Sequence, residues 1–345
     1  MKIGLIDVDG HNFPNIPLMK ISAYHKQKGD SVEWYDPMFS DDMDIVYMSK
    51  VFSFTDDYIY PIRAKEIKKG GSGYCISLVD DTSEKPVYEK KNGIFVLNTS
   101  YEERNGLFLP KKKEVFDRRK DTPLPPEIEH IYPDYSIYPD LTKDTAYGFL
   151  TRGCPRGCEF CHVEAKEGRR SYKVADLSEF WRGQKNIALC DPNILACRQH
   201  PELLQQLIDS KAKVDFNQGL DIRLTNERNI DLINQIKVSQ IHFAWDNHKD
   251  DLTRYFERYK KLAKHKPHGQ YGMVYCLVNF GSTIEEDLHR IYTLRDMEFD
   301  PYVMIYNKDD LPKGHELRKL QRYVNNKIIF RSCNTFDEYL KGAGS

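Results

Sequence analysis

The chain has no long apolar run. Nothing in its 345 residues approaches the ~20 consecutive apolar residues that a membrane-spanning helix needs. It has no excess of either charge, because 51 Lys and Arg stand against 52 Asp and Glu for a net charge of −1. That balance demands neither nucleic acid nor an anionic membrane as partner. The first residues, Met1 to Asp7, turn acidic at Asp7 and Asp9 and carry no secretory signal. Regular cysteine pairing is missing too: Cys75, Cys190, Cys197, Cys276 and Cys333 form no C-x2-C pair. An auxiliary cluster is therefore not expected, and the irregular cysteine usage fits a reducing, cytoplasmic setting. Hydrophobic residues at 40% suffice for a substantial core, as one large or two ordinary domains.

The three remaining cysteines fall in one loop, Cys154-Pro-Arg-Gly-Cys158-Glu-Phe-Cys161-His162, which reads C-x3-C-x2-C. Three thiolates without a fourth in register suit a [4Fe–4S] cluster with one open iron, since an ordinary cubane takes four cysteines. The alternative is a zinc knuckle with His162 as fourth ligand, although adjacent Cys161 and His162 chelate one ion awkwardly. Gly153 and Gly157 give the loop its freedom to wrap a cluster.

Along the chain, residues 1–80 read as a small Rossmann-like α/β layer. Strands are expected at Lys2–Val8, Ser31–Tyr35 and Ile45–Ser49, with a helix over Pro17–Lys28. Residues 81–143 read as an irregular linker or wrapping segment, basic at Lys111–Lys113 and proline-rich over Pro123–Pro139. Residues 144–310 alternate strand and helix. Six strands are expected (Ala146–Thr151, Asn186–Cys190, Lys213–Asn217, Gln240–Trp245, Gly272–Val278, Tyr302–Tyr306). Between them lie helices over Glu202–Ser210, Glu227–Ile236, Leu252–Lys264 and Ile284–Met297. Residues 311–345 form a C-terminal extension, read as a helix and a short strand at Lys327–Arg331. Cys276 is expected in the core and Trp245 to pack. Val278 to Asp287 contains a capping box, read on Ser282 and Glu285.

The cysteine loop resembles that of the radical S-adenosylmethionine (SAM) superfamily, and six βα units are similar to its partial (β/α)6 barrel. The resemblance implies a [4Fe–4S] cluster on Cys154, Cys158 and Cys161, with SAM on the open iron and Phe160 near its adenine. It implies Asp191, with Asn193 second, on the SAM amino group; a helix N-cap is the competing reading of either. Gln218 and Arg223 are implied at the SAM carboxylate or ribose, unless Arg223 only pairs with Asp221. Asn279 begins a turn that abuts the adenine. The implied reaction is reductive SAM cleavage and hydrogen abstraction from an unidentified substrate (small molecule, peptide or nucleotide). An electron donor such as flavodoxin or ferredoxin is implied as partner. No catalytic side chain is assigned.

The first layer resembles the cobalamin-type domain of some superfamily members. Asp9, His11 and Pro14 fall in the register of its Asp-x-His-x-x-Gly signature, with proline for glycine, and Gly70 to Gly73 stand where a later glycine pair would. With the signature broken, cobalamin binding is not the expectation. The rival readings are a cobalamin-dependent radical SAM methyltransferase and a non-catalytic, metal-stabilised nucleic-acid-binding or scaffold protein.

Overall fold

The computed structural model describes residues 1–10, 12–80, 88–91, 94–97, 101–104, 107–110 and 112–342, with side chains at 1–10, 12–77 and 115–342. The chain divides into two compact units. One comprises Met1–Tyr147, Gly153–Arg169 and Ser178–Phe180, and the other Gly148–Arg152, Arg170–Leu177 and Trp181–Ser345.

In the first unit the apolar run Ile3 to Ile6 makes β1 (Lys2–Asp7), buried along its middle. Strands covered on both faces carry such continuous runs. The chain then enters α1 (Ile16–Gln27). Asn15 caps it by accepting a hydrogen bond from the Leu18 amide, and Pro17 sits in its first turn. Strands β2 (Ser31–Trp34), β3 (Met43–Ser49) and β4 (Ala64–Gly70) complete a parallel sheet of order β2-β1-β3-β4. Leu18 and Ile21 of α1 pack on Ile3 and Leu5. The opposite face, with Ile6, Met43, Val46 and Met48, is covered by Tyr58 and Ile62 from the β3–β4 connection. Strand β4 was not expected, because Ala64 to Gly70 is mostly charged and its side chains are largely exposed.

The linker reading also needs correction. Ile76–Asp80 pairs antiparallel with Lys112–Phe116, Tyr88–Lys91 with Ile94–Leu97, and Tyr101–Arg104 with Leu107–Pro110. Strands of four or five residues are too short for periodicity to register.

A six-stranded sheet, whose strands β6 to β10 lie in the second unit, runs in the order β5 (Thr145–Gly148), β6 (Asn186–Leu189), β7 (Lys213–Phe216), β8 (Lys237–Ala244), β9 (Met273–Val278) and β10 (Asp300–Ile305). β6 to β10 are parallel. Helices α2 (His200–Ser210), α3 (Glu227–Gln235), α4 (Thr253–Leu262), α5 (Ile284–Asp296) and α6 (Glu316–Asn325) follow β6 to β10 in turn. Phe243 of β8 packs edge-on against Phe256 and Tyr259 of α4 and against Phe299. Each such buried ring contributes about 1.5–3 kcal/mol. Val278 and Val303 pack on Ile291, Leu320 and Val324 of α5 and α6. This is the expected α/β alternation, with six strands in the expected places.

Two local readings fail. Lys327–Ser332 is a helix, not a strand, because Asn326 caps it by accepting from the Ile328 and Ile329 amides. The capping box of α5 lies one residue later than expected, on Thr283 and Glu286. Trp245 packs as expected, stacked on Phe256 with its indole N–H on the Asp250 carbonyl, and Cys276 is fully buried.

Candidate functional site

The cysteine loop, within the first unit, is tied at both ends. The Gly153 amide donates to Glu167 Oε2 (2.8 Å) and the Cys154 amide to the Gly168 carbonyl (3.2 Å). The Cys161 amide closes a turn on the Cys158 carbonyl (2.9 Å). Gly157 has φ 60°, and a Cβ there would run into Glu164 Oε2 and stand 2.9 Å from Arg169 Nη2. The ends of the Glu164–Arg169 ion pair lie over that spot, and the left-handed backbone there favours glycine. Cys154, Cys158 and Phe160 are half-buried and Cys161 is exposed. Among the described residues no three His, Cys, Asp or Glu side chains are grouped to hold one metal ion. Three thiolates are the donor type that iron–sulfur clusters take.

In the second unit, Asp191 follows β6 and is 4% exposed. Its carboxylate accepts from the Leu150 amide (3.1 Å), the Thr151 amide (2.5 Å) and the Thr151 hydroxyl (2.6 Å). It is thus a latch on the strand end that leads to the cysteine loop. Asn193 is buried, with its carbonyl held by the Ser171 hydroxyl (3.0 Å). Neither makes the side-chain cap of a regular helix. Gln218 is exposed. Arg223 Nε donates to Asp221 Oδ1 (2.8 Å) and its Nη1 to Asp250 Oδ2 (3.3 Å), so the guanidinium pairs with Asp221 but not with it alone. Asn279, at φ 66°, donates its side-chain Nδ2–H to the Tyr306 carbonyl (2.8 Å). Sequence reasoning missed Arg290, whose guanidinium bridges the Trp245, Asp246 and Leu277 carbonyls and Asp287. The Asp287-x-x-Arg290 spacing behind the capping box was its signal.

Burial pushes the Asp191 carboxyl up to about 6 against its three hydrogen bonds, and burial does the same to Asp246 beside Arg290 and Arg223. A raised folded-state value means that the folded protein binds these protons more tightly than the unfolded chain. The resulting stability is complete below about pH 4 and is lost as pH rises through about 6. For Asp191 alone the difference is about 3 kcal/mol. Urea unfolding should therefore give a higher midpoint at pH 5 than at pH 7, with a smaller difference in Asp191→Asn. Equal pH dependence of variant and wild type would refute this.

The first unit holds a cavity of about 540 Å³ at the ends of β1 and β2, lined by Asp7, Trp34, Tyr35, Tyr58, Tyr60 and Tyr138 among others. Tyr138 donates its hydroxyl to Asp7 Oδ2 (2.6 Å). Of the cobalamin-type signature, Asp9 accepts from the Val51 and Phe52 amides, Pro14 is buried, and His11 lies outside the described residues. Gly71, at φ 99°, lets the chain pass the Lys50 carbonyl, and Gly73 lies tight against Lys50 and Phe52. A packing need therefore accounts for these glycines.

No family model matches the chain, and no curated protein matches it. Among solved structures it is similar to the radical S-adenosylmethionine methyltransferase TsrM from Kitasatospora setae with cobalamin and [4Fe–4S] cluster bound. The TM-score is 0.54 at 12% identity, over 88% of this chain and 74% of that one. The chain has the α/β fold of a radical SAM protein.

Proposed function

We propose that the chain is a radical SAM enzyme. The observation that carries this is the three-cysteine loop, with its glycine-dependent turn, following the first strand of the larger sheet in a chain of this fold. Cys154, Cys158 and Cys161 would hold a [4Fe–4S] cluster. With SAM bound, such a cluster would supply one electron to the sulfonium, releasing methionine and leaving the 5′-deoxyadenosyl group to take a hydrogen atom from a substrate carbon. The chain's own residues set the stage for this. Glu167 and the Gly168 carbonyl hold the start of the loop, and Asp191 fixes the strand end before it. A low-potential electron carrier of the flavodoxin or ferredoxin type is the proposed partner.

Anaerobic reconstitution should give roughly four irons per chain. The reduced protein should show an electron paramagnetic resonance signal that SAM shifts, and incubation should release 5′-deoxyadenosine. Cys158→Ala should lose both signal and product. Zinc in place of iron and sulfide would overturn the proposal.

A second reading, cobalamin-dependent methyl transfer, is favoured by the cobalamin in the similar structure and by the aromatic cavity at the strand ends of the first unit. These raise it above the weight that its broken signature gave it. Cobalt retained after growth with cobalamin, together with S-adenosylhomocysteine as product, would support it; cobalt-free protein would remove it.

A further inference from the structure

One face of the second unit's sheet is packed by helices through Val214, Phe216, Ile241, Phe243, Val274 and Val303, all buried. Side chains alternate along a strand, so Asp215, His242, Tyr275 and Tyr302 share the other face. They stand on four successive strands, with Tyr275 directly opposite Tyr302 in the register.

The Asp215 side chain is 30% exposed, yet its Oδ1 is buried and has no hydrogen-bond partner among the described residues. The nearest cationic candidate, His242 Nδ1, is 3.6 Å away, beyond good hydrogen bonding. That nitrogen lies 3.0 Å from the Phe216 carbonyl, which can only accept, so Nδ1 carries its proton toward the backbone. One carboxylate oxygen, Oδ1, is thus buried without a hydrogen-bond partner among the described residues, and such an atom invites a ligand. Rings wall the same place. His242 stacks on Tyr275 (5.3 Å, 1°), and Tyr302 meets Tyr275 edge-on (5.9 Å, 87°). On the edge strand β10, Tyr302 and Met304 are 36% and 46% exposed, so the ring can be reached from solvent.

We propose that this face is a cation subsite that takes a positively charged nitrogen group of the substrate, an alkylammonium or similar, with its charge on Asp215 and its carbons against Tyr275 and Tyr302. A carboxylate and aromatic faces are the pair of surfaces that such groups select, through ion pairing and cation–π attraction. The inference rests on the radical SAM reading for there being a substrate to hold, and it narrows that substrate to a cationic amine.

The test uses the full chain with phenethylamine as probe and 2-phenylethanol as its neutral counterpart. Binding is measured by calorimetry and by ligand-observed saturation-transfer NMR. The amine should bind at least tenfold more tightly than the alcohol. Asp215→Asn should abolish that preference, and Tyr302→Ala, a change at an exposed ring, should weaken the amine severalfold while circular dichroism stays unchanged. Absence of amine binding, equal binding of amine and alcohol, or a preference that survives Asp215→Asn would each overturn the subsite. Assaying iron, deoxyadenosine and amine selectivity on the same wild-type protein separates the two readings. Charge-selective binding without deoxyadenosine formation in wild type would sink the enzyme reading alone; iron, SAM cleavage and no selectivity would sink the subsite alone.

Discussion

Replacing Arg290 by methionine should lower the unfolding free energy by about 3–5 kcal/mol, the usual result of breaking a buried ion pair from one side. Arg290 and Asp287 are each 1% exposed. The guanidinium donates to the Trp245 carbonyl (2.6 Å) and the Asp246 carbonyl (2.8 Å) after β8, to the Leu277 carbonyl (2.9 Å) in β9, and to Asp287 Oδ1 (2.5 Å) on its own helix. Methionine fills much of the volume but leaves one carboxylate and three carbonyls without their donor. Lysine should not rescue, since one ammonium cannot span the fork that a planar guanidinium provides. The double change Asp287→Leu with Arg290→Met should recover part of the loss, because the stranded charge then disappears. Urea unfolding decides this. A single-variant cost under about 1 kcal/mol, as for an exposed pair, would show that the clamp contributes little.

That clamp also illustrates what a sequence conceals. The six strands and four intervening helices of the larger sheet were readable because apolar runs bounded by caps and glycines have one cheap solution, a parallel sheet covered by helices. The cysteine spacing was readable because the ligand atoms lie within eight residues of one another. Arg290, Asp191 and Asp215 were not readable in their observed roles. Each depends on a partner 13 to 45 residues away: Leu277, Trp245 and Asp246 for Arg290, Leu150 and Thr151 for Asp191, and His242 for Asp215. Spacing along the chain says nothing of such pairings. In the first unit, β4 escaped notice because its side chains are mostly charged and exposed, so the strand carries no hydrophobic alternation.

Asp191→Ala should be similarly costly, and it separates two roles for one carboxylate. Its oxygens satisfy two backbone amides and one hydroxyl at Leu150 and Thr151, all buried. Truncation leaves those donors without an acceptor, at about 1–3 kcal/mol for each unsatisfied group. The aggregate should be about 3–5 kcal/mol, tempered by any water that enters the gap. Thr151→Val removes only the hydroxyl's share and should cost about 1 kcal/mol. The strand end that Asp191 holds is three residues before Cys154, so the variant, reconstituted at low temperature where it stays folded, should retain severalfold less iron than wild type. A carboxylate whose work is to hold the SAM amino group predicts a different pattern: full stability, full iron and only weakened SAM binding. Measuring unfolding, iron content and SAM affinity on the same variant discriminates between them, and an unchanged unfolding midpoint with full iron would overturn the latch.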